Sequence, residues 1–390
     1  MKYLLSLVLF CAIIIPSFAC SMFSFQVDGK TLVGNNEDYF DPDTWMWTDK
    51  SGKYGSVFFG FGNFFAQGGM NEAGLVFDGF AMEARKVNDV VGKKSINPAK
   101  LVRKIMSSCS TVAEVEEIMK EYDLSFMENA QLMFVDRTGA SLVVEGDDYV
   151  HSKGDYHITT NFYQSSTPKE DFYKVCHRYA AGDKIMSQGL EYSIEYGESV
   201  LAAMHQEGFW GGTQYSNIYD LEEKKVYLYL FHNYEERLEL SLEDLLKKEK
   251  KVQLKSLFKD KAEYEAYAKA YDRSKEICHA LADYASLEEL NKDLKELESL
   301  PQAKLWNQQM FEAADKLQQE EKHEMAIALI NYAKELIPQS WRLRAMLAKS
   351  LFMQKQLEAA EREIAKAIEL NPEEPSLKEA QEKIRAAREK

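Results

Sequence analysis

Prolines are scarce in this 390-residue chain, eight in all, and its twenty glycines follow no period, which excludes collagen-like and proline-rich low-complexity sequence. Five cysteines over this length do not make a disulfide framework. Basic charge is in deficit. Forty-eight Lys and Arg against 63 Asp and Glu leave a net charge of −15, which repels phosphate backbones, so no nucleic-acid partner is expected. Beyond the first fifteen residues no apolar run approaches the ~20 residues a membrane helix requires, so no transmembrane segment is expected. The seven histidines show neither HExxH nor another paired ligand spacing, and neither a metal site nor a cofactor is expected. No serine sits in G-x-S-x-G, and Gly60-Phe61-Gly62 lacks the third glycine of a dinucleotide loop. What is present, 45% apolar and 28% charged residues, suffices for two or three globular domains.

Met1-Lys2, an apolar run from Tyr3 to Ile15, and Pro16-Ser17-Phe18-Ala19 describe a secretory signal peptide with small residues at −3 and −1. Cleavage after Ala19 makes Cys20 the first residue of a secreted or periplasmic protein. Three readings of Cys20 then stand side by side. It is an ordinary residue beside a cleavage site, a lipoprotein cysteine to be acylated as an anchor, or an N-terminal nucleophile. Against the second, Ser17 stands where lipoprotein sites usually carry leucine. The third has a chemical basis. An α-amine with a pKa of about 8 and a thiol of about 8.5 share one residue. The amine can therefore take the thiol proton and later return it to a leaving amine, with no separate histidine.

Along the chain, residues 21–27 and 30–33 flank Asp28-Gly29 as a hairpin, and the polar run 34–38 reads as the start of a loop. Strands are expected at 56–62, 75–80, 131–135, 141–145, 156–160, 214–219 and 225–231, with a turn at 68–74. Helices are expected at 97–107, 111–122, 170–187 and 190–207, the second opened by a capping box at Thr111 and Glu114. This order favours two antiparallel sheets covered by helices, an α+β fold, over a parallel sheet. From Ser241 onward every segment has a helical pattern. Pro338 and Pro372 lie 34 residues apart. Ala314, Leu317, Ala326, Ile330 and Ala333 recur as Ala348, Leu351, Ala360, Ile364 and Ala367. That register resembles the tetratricopeptide repeat, whose concave stacks dock a protein partner or a second copy. The expected organisation is a signal peptide over 1–19, a catalytic domain over 20–242, a helical linker over 243–302 and helical repeats over 303–390.

Cys20-Ser21-Met22-Phe23, Gly34-Asn35-Asn36-Glu37-Asp38, Gly69-Met70-Asn71-Glu72-Ala73-Gly74-Leu75 and Thr159-Thr160-Asn161, in that order and spacing, resemble the choloylglycine hydrolase and penicillin V acylase group of N-terminal-nucleophile hydrolases. The resemblance covers about residues 20–240. It implies an αββα sandwich and a thioester between the N-terminal cysteine and the acyl part of a linear, non-peptide amide. Carried over, Cys20 is nucleophile and, through its amine, base and acid. Asp38 contacts the nucleophile and its amine, and the Asn161 amide donates to the oxyanion. The family's late arginine is matched by Arg178, which read by itself is a surface helix residue.

Departures bear on substrate binding. Asn35 takes the place of the arginine in the family's G-R-N-x-D stretch, and Ala81 that of a second oxyanion asparagine, leaving a backbone N–H or Asp78 to serve. The aromatic stretch of Trp45, Trp47, Phe58, Phe59, Phe61, Phe64 and Phe65 is core or the wall of an acyl pocket. Cys109, Cys176 and Cys278 read as free thiols. The expected function is hydrolysis of small N-acyl amides. An acyltransferase, a peptidase or a lipid-anchored inactive adaptor are the other readings.

Overall fold

The computed structural model describes residues 20–389 apart from 153, 208–211 and 301–305. The expected signal peptide lies outside the described residues. The chain divides into a unit ending at Tyr264 and a helical unit from Glu265.

The first unit opens with the hairpin of β1 (Ser21–Val27) and β2 (Lys30–Tyr39). Asp28 and Gly29 both take positive φ, 51° and 76°, which matches the twist of a two-residue turn. Then come β3 (Thr44–Asp49), β4 (Ser56–Phe61), β5 (Ala66–Asn71), β6 (Val76–Ala81), β7 (Ala130–Val135), β8 (Ser141–Glu145) and β9 (Asp148–His151). They form a meander, with β14 (Lys251–Gln253) at its outer edge beside β3. The other sheet has the order β10 (Tyr156–Thr159), β1, β2, β11 (Gly212–Asp220), β12 (Lys225–Leu230), β13 (Leu238–Ser241), and all its pairs are antiparallel.

Alternation along the strands sets the layers. On β4, Phe58 packs with Leu101, Ile105 and Met106 of α1 (Pro98–Ser108) and with Val115 and Met119 of α2 (Val112–Glu121). Its neighbour Phe59 meets Tyr215 and Tyr219 of the other sheet, each with ring centroids 6.2 Å away. The outer face of that sheet carries Phe23, Phe25 and Ile218 against Met186 of α4 (His177–Met186) and Val200, Leu201 and Met204 of α5 (Ile194–Met204). The short α3 (Phe172–Val175) precedes α4. Helix, sheet, sheet and helix are the four layers expected of the fold class.

Asn71 ties the hairpin of β5 and β6 to α1. Fully buried, it donates to the carbonyls of Met106 and Cys109 at 2.8 and 2.9 Å and accepts from the Ala73 and Leu75 amides. Gly74 completes the turn at φ 83°. The motif around Asn71 is therefore a brace behind the sheet. Asn71→Ala strands several buried backbone groups at once and is expected to cost about 3 kcal/mol, measured by denaturant unfolding.

The structure corrects the sequence reading at three places. The polar run 34–38 is the second half of β2, hydrogen-bonded on both sides to β1 and β11. The turn expected at 68–74 is mostly strand β5. The first unit runs past the boundary expected at 242, through α6 (Leu242–Leu246) and β14, to Tyr264.

The second unit comprises α7 (Ala262–Ala280), which starts at the end of the first, α8 (Leu287–Leu297), α9 (Asn307–Gln319), α10 (His323–Leu336), α11 (Trp341–Met353), α12 (Leu357–Leu370) and α13 (Pro375–Arg388). The hairpins α9/α10 and α11/α12 repeat at the 34-residue interval. Their turns place Glu321 and Lys355 at the same φ of 58°, and the ten matched Ala, Leu and Ile positions are buried. Among the described residues, no helix is long and apolar enough to cross a membrane.

Candidate active site

Cys20 directly precedes β1, so the pairing of β1 with β2 carries it to the far end of β2, beside Glu37 and Asp38. Successive residues of a strand face opposite ways, and these two separate accordingly. Glu37 is paired with Tyr215 and faces the space between the sheets. Asp38 is paired with Thr213 and faces the helices. The register of β2 and β11 slips between Thr213 and Tyr215, which lets both pairs form.

On the inner side the Cys20 thiol, 6% exposed, donates to Glu37 Oε1 at 3.2 Å and lies 4.0 Å from the Asp38 carbonyl. On the helix side Asp38 accepts from Thr213 Oγ1 at 2.5 Å and from Arg178 Nη1 at 3.3 Å. Arg178 is 4% exposed. Its guanidinium also donates to the Cys20 carbonyl and to Asn161 Oδ1, both at 2.8 Å. The Asn161 amide in turn donates to the Ala81 carbonyl at 2.7 Å. Four of the expected residues, Cys20, Asp38, Asn161 and Arg178, thus form one hydrogen-bonded group, closed by Ala81 through its backbone. The reading of Arg178 as a surface residue is corrected, because its fork geometry satisfies three acceptors at once.

Asn35 lies two residues up the same face as Glu37 and is buried. It partly offsets the effect of burial on Asp78, yet neither its Nδ2 nor its Oδ1 forms a hydrogen bond of normal geometry. Asp78, on β6, comes from the opposite sheet and accepts the Gly79 amide at 2.8 Å. It therefore sits in the acidic cluster and does not line the cavity.

That cavity, about 310 Å³, is bordered by Cys20, Glu37, Asp38 and Ala81 and walled by Phe65, Phe80, Phe126 and Leu132. Of the aromatic stretch only Phe65 reaches it; Phe58, Phe59 and Phe61 are core. A larger hollow of about 510 Å³ around His232 and Asp260 does not touch Cys20.

Burial pushes the Cys20 thiol well above its ordinary pKa, and Glu37, Asp78 and Asp38 push it further. Burial likewise raises Glu37 and Asp78 well above the usual carboxylate range. Asp38 is raised to about 7, the burial effect being moderated by Arg178 and Thr213. Such groups bind protons more tightly folded than unfolded. The stability they confer is present below the unfolded pKa of about 4 and is lost as pH rises through the folded values. The unfolding midpoint is therefore expected to fall from pH 5 to pH 8, and Asp78→Asn to flatten that fall. A thermal melt series checks both.

Glu37 escapes a reading of the sequence; extending β2 by four residues and applying its alternation exposes it. A second cluster, His205, Glu207 and His232, is hidden by linear spacing, its ligand atoms lying within 4.8 Å of one another. His205 and Glu207 are joined directly at 2.7 Å. Among the described residues Cys109, Cys176 and Cys278 are free thiols.

Comparisons with known proteins bear on the first unit. The solved structures of a mutant conjugated bile acid hydrolase from Clostridium perfringens and of penicillin V acylase from Agrobacterium tumefaciens are similar to this chain, at 18% and 16% identity. Each covers 60% of this chain, against 96% and 92% of their own, with TM-scores of 0.46 and 0.48. No curated protein sequence matches it. The family model described as linear amide C-N hydrolases, choloylglycine hydrolase family, matches residues 38–175. Over that span, which carries Asp38, Ala81 and Asn161, the chain is similar to the linear amide C–N hydrolases of the choloylglycine hydrolase family.

Proposed function

We propose that the first unit is an exported amide hydrolase in which cleavage after Ala19 makes Cys20 an N-terminal nucleophile. The observation that carries this reading is that Arg178 binds the residue that signal-peptide logic places first and links it to Asp38 and Asn161. A buried, acid-surrounded thiol is protonated and needs a base. The unblocked α-amine of Cys20 supplies one and adds a positive charge among carboxylates, which stabilises the ammonium form. The thiolate attacks the acyl carbon of an N-acyl amide, the amine departs, and water resolves the thioester.

Asn161 is the donor for the oxyanion, with its carbonyl oxygen held by Arg178; one such donor is worth about 3 kcal/mol of barrier. The apolar walls at Phe65, Phe80 and Phe126 suit an apolar or aromatic acyl group. The described residues bordering the cavity include no Lys or Arg to meet a substrate carboxylate, which argues against bile-salt-like substrates. The helical unit, with its 34-residue hairpins, serves as a tetratricopeptide-like docking surface for a protein partner or a second copy. Amine release from a panel of N-acyl amino acids and small N-acyl amines tests the reading. Turnover is expected with apolar acyl groups, and none across the panel contradicts it.

A further inference from the structure

The residues around the thiol contain more polar capacity than the proposed chemistry uses. Glu37 Oε2, both side-chain polar atoms of Asn35, Asp78 Oδ2 and the Tyr215 hydroxyl are buried without hydrogen-bond partners, all on the inner side of the Cys20 site. Glu37 alone of these borders both the cavity and the sulfur, 3.2 Å from Sγ. Glu37 faces Cys20, Asp78 of β6, and Tyr215 and Tyr219 of β11, with Asp38 behind it on the other face of the strand and no cation among these. Burial and these acidic neighbours make the Glu37 carboxylate more basic than usual, and it lies 3.2 Å from the sulfur.

We propose that Glu37 is the proton partner of the Cys20 sulfur during turnover. This rests on the reading of Cys20 as nucleophile and transfers the thiol proton to Glu37 in place of the α-amine, which is left to serve the departing amine. In acylation the Sγ–H bond breaks as Oε1–H forms, and the freed electron pair makes the S–C bond. The α-ammonium gives its proton to the departing amine as the C–N bond breaks. In deacylation water gives its hydroxyl to the acyl group and a proton to the α-amine, while Glu37 Oε1–H returns its proton to the sulfur. Each cycle ends with thiol, carboxylate and ammonium restored. Asp38, on the other face of β2, positions Arg178 and takes no proton.

The test compares processed wild-type protein with Glu37→Gln on two readouts, the pH profile of Cys20 alkylation by iodoacetamide and turnover of the best N-acyl substrate. Removing the carboxylate relieves its repulsion of the thiolate, so the alkylation midpoint moves to lower pH and the rate at pH 7 rises several-fold. Turnover falls about 10²-fold or more, the usual worth of a positioned acid–base group. A merely structural loss would depress both. Should Glu37→Gln not fold, Glu37→Asp, which withdraws the carboxyl by one methylene, is expected to lower turnover about 10-fold and shift the same midpoint less. An unchanged alkylation profile, or unchanged turnover in a folded variant, overturns the proposal. Retained turnover in Cys20→Ala would instead overturn the reading of the nucleophile.

Discussion

Cys20→Ser is expected to lose amide turnover by about 10³-fold or more while keeping its fold, and Cys20→Ala to lose it completely. The chemical ground is the environment of the side chain. A site that already pushes a thiol well above its ordinary pKa, by burial and by three carboxyls, leaves a hydroxyl, a far weaker acid, without a workable alkoxide. The stability change is expected within about 1 kcal/mol, because what the side chain gives up is one thiol hydrogen bond, to Glu37. Equal melting midpoints with a collapsed rate separate chemistry from folding. Turnover within tenfold of wild type in Cys20→Ala would remove the sulfur from the mechanism.

The second large effect belongs to Arg178. It is buried with Asp38, and the same guanidinium holds the Cys20 carbonyl and the Asn161 side chain. Breaking a buried pair by removing one partner typically costs 3–5 kcal/mol, about that much being expected for Arg178→Ala at pH 8. The sign with pH follows from Asp38. Arg178 lowers the Asp38 pKa from what burial alone would set, to about 7. Without the arginine the folded value rises further, so the variant suffers most where Asp38 must ionise. At pH 5 the carboxyl is protonated in both proteins and the difference shrinks. Arg178→Lys does not rescue, since one ammonium cannot reproduce the two nitrogens through which the guanidinium reaches three acceptors. Unfolding free energies at the two pH values check this. Turnover should fall about 10²-fold as Asn161 loses the group that orients it.

Much of this is legible in the order of residues, and the failures share a physical cause. The hairpin at Asp28-Gly29, the capping box at Thr111 and the 34-residue helical register are written in local signals, a turn residue with positive φ, a reciprocal cap and apolar periodicity. The half of β2 from Gly34 to Asp38 has no apolar alternation because each of its faces meets a polar site: Glu37 meets the thiol, Asn36 the Leu201 carbonyl, Asp38 Thr213. A strand lined on both sides by functional groups reads as a loop. Strand β5 is masked by its glycines. Gly69 is required because a Cβ there would lie 2.4 Å from the Val57 carbonyl. Arg178 sits 158 residues from the carbonyl it binds, a contact that helical spacing alone does not encode.

The central claim is that a processed Cys20 carries the acyl group. Intact-mass analysis of the protein purified from an exporting host, before and after a rapid acid quench with an N-acyl substrate, tests it most directly. The account predicts a polypeptide beginning at Cys20 with no added lipid, gaining one acyl mass on that residue that hydroxylamine removes. A chain that begins elsewhere, a diacylglyceryl mass on Cys20, or an acyl group trapped on a different residue would contradict it.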